Sequence, residues 1–201
     1  MRDDLLTASR PELLDKGDDR MLRALLHDYF AFGRNLEAAR AKFAAQVGLS
    51  PTQYMILIVI AHALKDDAPG IGQIADRLHL SGAFVTTEVN GLEADGLVRK
   101  DAHPSDRRRV MLFATEAGMD RLKQLAAFQR PVNDALFGML SREEVRLLAG
   151  LLARLAANGD AALKLADYVE ARMDLARRGD RAPKVTSAPP IRTPIKRRTR
   201  G

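Results

Sequence analysis

Residues 71 to 100 read IGQIADRLHLSGAFVTTEVNGLEADGLVRK, and the fold turns on how this stretch is punctuated. Ile71, Ile74, Ala75 and Leu78 share one face of a short helix. His79-Leu80-Ser81 breaks it, and Ser81 suits the N-cap of a second helix from Gly82 to about Ala94. Val85, Val89 and Leu92 form that helix's buried stripe, and Gly96 suits the left-handed position that ends it. Two short helices joined by a tight turn make a helix-turn-helix pattern.

The chain continues as HPSDRRRVMLFATEAG, residues 103 to 118. LVRKDA predicts a strand, HPSD a turn and RRVMLFA a returning strand. Three arginines, Arg107, Arg108 and Arg109, then stand at or beside the tip. A helix-turn-helix followed by such a hairpin is the order of a winged helix. Thr115 can cap the next helix, and Glu116 suits its first turn.

Working outward, apolar residues recur with helical spacing from Asp19 to Val47, including Leu22, Leu25, Leu26, Tyr29, Phe30 and Phe43. Ser50, Pro51 and Gln53 form a capping box with proline at the first helical position, opening a helix that runs to about Leu64 and is apolar on most faces. After the wing, a helix runs toward Leu140, and Pro131 within it predicts a kink or break near Arg130. Ser141 and Glu144 form another capping box, and a last helix carries Val145, Leu148, Leu152, Leu155, Leu163, Val169 and Met173, with Asn158-Gly159 a weak point midway. The organisation expected is an N-terminal arm (1–18), a domain (19–174) and a tail (175–201). Within the domain the winged helix spans about 51–114, flanked by helices at about 19–47 and 115–173.

The net charge of +6 is misleading as a whole-chain figure. Residues 175 to 201 hold nine Lys or Arg and one acid, Asp180, so this segment carries +8 and residues 1 to 174 carry −2. The segment also holds Pro183, Pro189, Pro190 and Pro194, which predicts a disordered basic tail. Attraction of the folded part to nucleic acid must therefore rest on local clusters. There is no Cys, which excludes disulfides, thiolate metal sites and thiol switches. The longest apolar run, YMILIVIAHAL at 54 to 64, is too short to span a bilayer, and the acidic N-terminus lacks a signal-peptide segment. A soluble cytoplasmic protein without membrane contact is the expectation. No Walker loop, GxSxG or HExxH is present, so no enzyme is expected. The histidines His27, His62, His79 and His103 share no ligand spacing, so neither a metal nor a cofactor is expected.

This order of elements, together with GLVRK, the DRR tip and TEAG, resembles the MarR family of bacterial winged-helix regulators, over roughly residues 20 to 172. The family's wing signature falls on Asp106, Arg107 and Arg108, and its helix start on Ala114-Thr115-Glu116-Ala117-Gly118, with Ala114 where Leu is usual. Thr87 and Gly91 stand where basic residues are frequent in the family, and Glu88 where an apolar residue is common. The resemblance implies a homodimer joined through the terminal helices and bound to a palindromic operator in double-stranded DNA. It implies a repressor released by a small aromatic or anionic effector. It also implies that Arg108 enters the minor groove at the wing tip, oriented by Asp106; a narrow minor groove favours an inserted Arg.

Ser81, Ala83, Thr86, Thr87 and Asn90 lie on the outward face or first turn of the recognition helix, where base edges are read. Asn90 can pair with adenine, and the Thr methyls can touch thymine. An ordinary polar helix face is the bland reading of the same residues, as a solvated basic turn is for the wing tip. Phe84 is expected in the core, the alternative being a thymine methyl contact. Gly91 inside a helix points to close packing against a neighbour. Phe30, Tyr54 and His62 can line an effector pocket, or they are interior and interface side chains. A second functional class stays open: a protein-interaction module whose basic tail alone binds nucleic acid, without sequence preference.

Overall fold

The computed structural model describes residues 5–63, 67–103 and 106–177, with the side chains of residues 103 and 106–108 outside that description. After a 3-10 turn at Pro11–Leu13 come α1 (Arg20–Gln46), α2 (Pro51–Ala61), α3 (Ile71–Leu78), α4 (Gly82–Ala94), β1 (Val98–His103), β2 (Asp106–Ala114), α5 (Glu116–Phe137) and α6 (Arg142–Arg177). This is a mainly helical winged helix-turn-helix with flanking helices, as the sequence predicts. The Pro104-Ser105 turn and most of the basic tail lie outside the described residues, and α6 continues three residues past the boundary expected at 174. Contacts divide the chain into two units, with the boundary between Met139 and Leu140.

In the first unit the caps fall where the sequence puts them. Ser50 Oγ accepts from Gln53 N at 3.0 Å while Gln53 Oε1 accepts from Ser50 N at 3.1 Å, closing the capping box of α2. Ser81 Oγ accepts from Phe84 N at 3.2 Å and opens α4. At the far end of α4, Gly96 has φ +69°, Leu97 N donates to Leu92 O, and Gly96 N donates to Glu93 O. This is the Schellman arrangement, which satisfies the last carbonyls of the helix and turns the chain into β1. The core beneath these caps comes from α1–α5 and both strands, with Phe43 of α1, Ile56 and Leu57 of α2, Ile74 of α3, Leu92 of α4, Val98 of β1, Leu112 of β2 and Leu125 of α5 all buried.

The loop before α3 is sewn to the wing, since Leu112 N donates to Pro69 O at 2.9 Å. α5 is tied back to the layer below by two long-range bonds. Gln129 Nε2 donates to the Tyr54 hydroxyl at 3.0 Å, and Arg121 Nη1 donates to Val47 O at 3.2 Å. The break expected near Arg130 does not occur, for α5 stays helical through Pro131. Apolar side chains on both sides of the proline, Leu125 before it and Val132 and Leu136 after it, pack on the same core and keep the helix continuous. Nor does Asn158-Gly159 interrupt α6.

The N-terminal arm is anchored on one carboxylate. Asp19, wholly buried, accepts from Thr7 N at 2.7 Å and Thr7 Oγ1 at 2.6 Å, and pairs with Arg23 at 2.6 Å. Those hydrogen bonds from Thr7, more than the nearby guanidinium, hold its pKa below the usual aspartate range against the opposing effect of burial.

The second unit is α6, described by itself. Its capping box is present, with Glu144 N donating to Ser141 Oγ at 3.2 Å and Ser141 N to Glu144 Oε2 at 2.8 Å. No residue of α6 is buried, yet large apolar side chains run its length. Val145, Leu148, Leu152, Leu155, Gly159, Ala162, Ala166, Val169 and Met173 follow one another at alternating spacings of three and four, which is a coiled-coil seam. α1 leaves a comparable set exposed in its first half, including Leu25, Tyr29 and Phe30. Among the described residues no single helix is long and apolar enough to cross a membrane.

Candidate nucleic-acid interface

α4 has two faces of opposite character. Val85, Val89 and Leu92 are fully buried, and this stripe fixes which way the rest of the helix points. Ala83, Phe84, Thr86, Thr87 and Asn90 are exposed, as is the capping Ser81, so the five recognition residues expected from the sequence share the outward side or first turn. The Thr hydroxyls are turned back on their own helix. Thr86 Oγ1 donates to Gly82 O at 2.8 Å and Thr87 Oγ1 to Ala83 O at 3.2 Å.

Phe84 is a correction. It was expected in the core and is 43% exposed. The reason is angular: Phe84 is about 100° around the helix from Val85, which is already at the centre of the buried stripe. Gly91 does have the close neighbour its sequence position suggested, because a Cβ there would stand 3.0 Å from Gln53 Nε2 of α2.

The wing's tip departs from a simple hairpin. β1 and β2 pair antiparallel from Val98↔Ala114 to Ala102↔Val110, and the next pair is His103↔Asp106. The register thus slips by three residues on β2 across Arg107, Arg108 and Arg109, so plain alternation of sides does not carry through the arginines. Such an irregularity re-aims side chains at the rim of a sheet. Arg109 is exposed. The side chains of Asp106, Arg107 and Arg108, and with them the expected Asp106–Arg108 pairing, lie outside the described residues.

Recognition helix and wing are joined by a residue that reading the sequence alone passed over. Lys100 of β1 sends its ammonium to Asn90 Oδ1 at 2.5 Å and Glu93 Oε2 at 2.6 Å, both on α4. Alternation along β1 carries the signal: Lys100 is two residues from buried Val98 and therefore on the sheet face turned toward α4. On the other face Arg99 lies over the Phe113 ring at 4.3 Å and pairs with Asp101.

The base of the wing is closed by Thr115. Its hydroxyl donates to Gly96 O at 2.6 Å and accepts from Gly118 N at 3.1 Å, and its own N–H donates to Leu97 O at 3.0 Å. Gly118 sits so near Leu97 that a Cβ would be 2.3 Å from the Leu97 carbonyl oxygen. The Thr-Glu-Ala-Gly sequence is thus a clasp between α5 and the end of α4.

Phe30, Tyr54 and His62 do not meet. Tyr54 is buried edge-on to Phe43, with its pKa pushed up by burial. Phe30 is 64% exposed beside Tyr29 on α1. His62 caps the end of α2, about 12 Å of helix rise from Tyr54, and its Nδ1 donates to Ile58 O at 3.0 Å. A separate groove of about 530 Å³ is lined by Gln46, Val47, Gly48, Arg121, Gln124, Leu125 and Phe128.

A family model described as MarR family matches residues 47–109, from the end of α1 through the helix-turn-helix and into the wing. The HTH-type transcriptional regulator MhqR of Bacillus subtilis is 32% identical over 111 residues, 55% of this chain and 74% of that protein. A MarR family transcriptional regulator from Streptomyces coelicolor, solved in complex with DNA, has a TM-score of 0.58 at 22% identity, covering 68% of this chain and 89% of that one. CouR from Rhodococcus jostii, solved bound to p-coumaroyl-CoA, has a TM-score of 0.56 at 23% identity, covering 62% of this chain and 85% of that one. MhqR and the Streptomyces protein are named as transcriptional regulators, and their family is not enzymatic. With its helix-turn-helix and wing within that match, and a relative 32% identical over 74% of its own length, the chain belongs to the MarR family of winged-helix transcriptional regulators.

Proposed function

We propose that the chain is a homodimeric, sequence-specific DNA-binding repressor of the cytoplasm that leaves a palindromic operator when a small aromatic or anionic effector binds. The observation that carries DNA reading is the outward face of α4, held at a fixed angle to an arginine-bearing wing by Lys100. Arg107, Arg108 and Arg109 gather positive charge at one point of residues 1 to 174, whose net charge is −2 even with them included. The solved relative in complex with DNA supports the same use of the fold. The uncovered seam of α6 and the exposed apolar half of α1 support a dimer, since each matches a second copy of itself better than water. Two lobes in a dimer read half-sites about one helical turn apart.

Release by an effector is supported by the relative bound to p-coumaroyl-CoA and by the groove beside Arg121, where a guanidinium faces apolar Leu125 and Phe128. A planar guanidinium suits an aromatic carboxylate. The groove replaces the Phe30, Tyr54 and His62 set, whose members are spread over the surface and the core. Aromatic carboxylates are the compounds to titrate against the bound duplex.

The test is a selection of random DNA duplexes at physiological salt, by the full chain and by a form lacking residues 178–201, with Arg108→Ala beside them. The expected result is one palindrome enriched by both forms and weakened by Arg108→Ala. Binding that disappears with the tail and shows no sequence preference would instead mark a protein-interaction module with a nonspecific basic extension.

A further inference from the structure

The recognition helix has no cation with which to read DNA. GAFVTTEVNGLEA, residues 82 to 94, contains neither Lys nor Arg. Guanine is most often recognised by a bidentate Arg or Lys, adenine by Asn or Gln, cytosine by a carboxylate and thymine by apolar contact with its C5 methyl. α4 lacks the first of these. Of the second and third, Lys100 grips Asn90 Oδ1 at 2.5 Å and Glu93 Oε2 at 2.6 Å, and the other carboxylate, Glu88, is half-buried where Ala83, Phe84, Thr86 and Thr87 are exposed. The two Thr hydroxyls donate to Gly82 O and Ala83 O of their own helix, which leaves their methyl groups as the unengaged part of each side chain. Beside them stand exposed Ala83 and Phe84, the latter 43% exposed on a turn that the buried stripe directs outward. The first two turns of α4 therefore present an aromatic ring and three methyl groups.

We propose that α4 reads its half-site chiefly through thymine C5 methyl groups, with Phe84 the principal contact and Ala83, Thr86 and Thr87 around it. This rests on the DNA-binding reading above. It adds which base the helix selects and by which atoms. The methyl is the major groove's one apolar feature, so it is the feature this surface can distinguish. Phe84 is thus a specificity residue, although the sequence pattern suggested a core position.

The experiment starts from the palindrome enriched by the full-length chain. Each thymidine of a half-site is replaced in turn by deoxyuridine, which removes the methyl and leaves base pairing and every hydrogen-bonding edge unchanged. Affinities are measured for the unaltered chain, Phe84→Ala and Phe84→Leu. The expectation is that one or more thymines in each half-site lose about fourfold on replacement, the equivalent of one buried methyl. Phe84→Ala should bind the thymine duplex more weakly and lose that discrimination, while Phe84→Leu retains most of it. Uracil duplexes bound as tightly as thymine duplexes would overturn the proposal, as would enriched half-sites without thymine, or undiminished discrimination in Phe84→Ala. These failures differ from that of the function itself: enrichment of no sequence removes the DNA-reading premise, and an uracil effect cannot then be sought.

Discussion

At the scale of single residues, two positions bind the sequence to the fold by contacts that admit no substitute. Gly118 is chosen by distance rather than by backbone freedom, for a methyl there would be driven into the Leu97 carbonyl. Gly118→Ala is expected to lower stability by about 1–3 kcal/mol, the usual cost of overpacking, read as a drop in thermal midpoint with helicity otherwise preserved. Asp19 is chosen by charge. Its folded pKa is depressed, so its contribution is present in full above the ordinary value of 3.8 and fades as the pH falls below it. Proteolysis between Thr7 and Asp19 should accordingly accelerate in acid below that value, and Asp19→Asn should show the fast cleavage already at neutral pH. A cleavage rate independent of pH in the unaltered chain would contradict the anchoring role.

At the scale of elements, the boundaries legible in the sequence are those set by neighbours in the chain. Ser50, Ser81, Thr115 and Ser141 act within three residues of themselves, and all four caps are in place. What escaped the sequence depends on partners far along it. Lys100 finds Asn90 ten residues away only because β1 folds back over α4. Phe84 was expected in the core although the stripe of Val85, Val89 and Leu92, legible in the sequence, already directs it outward. Pro131 looked like a break because a local rule ignores the core that spans it. The wing arginines were legible as a charge cluster, but the slip in register beneath them was not, since nothing local marks it. Spacing along helices likewise says nothing of whether Tyr54 ends buried and Phe30 exposed, the interior and surface placements left open beside an effector pocket. The Lys100 contact carries its own expectation. Lys100→Met frees Asn90, so duplexes selected by that variant should gain an adenine preference absent from those selected by the unaltered chain. The fold should hardly notice, since partly exposed ion pairs are worth about 0.2–1 kcal/mol.

At the scale of the whole molecule, the apolar residues left exposed are concentrated on the terminal helices. Leu155 and Leu163 of α6 are each more than 60% exposed. Under the proposed function, introducing Glu at both should leave each chain's winged helix folded and give a monomer where the unaltered chain sediments as a dimer, with the selected palindrome bound far more weakly. Retention of the dimer would move the association surface elsewhere.

The clasp at Thr115 reaches beyond stability. Because Thr115 is tied to Gly96 and Leu97, the two ends of the wing are joined regardless of what lies between them. Closing a longer loop at a fixed base costs only about 0.6 kcal/mol for each doubling of its length. The far end of the hairpin is thus free to lengthen, shorten or change composition over evolutionary time, while Thr115 and Gly118 are not. In the proposed reading, one scaffold can in this way change its genomic address at the tip without unfastening the base.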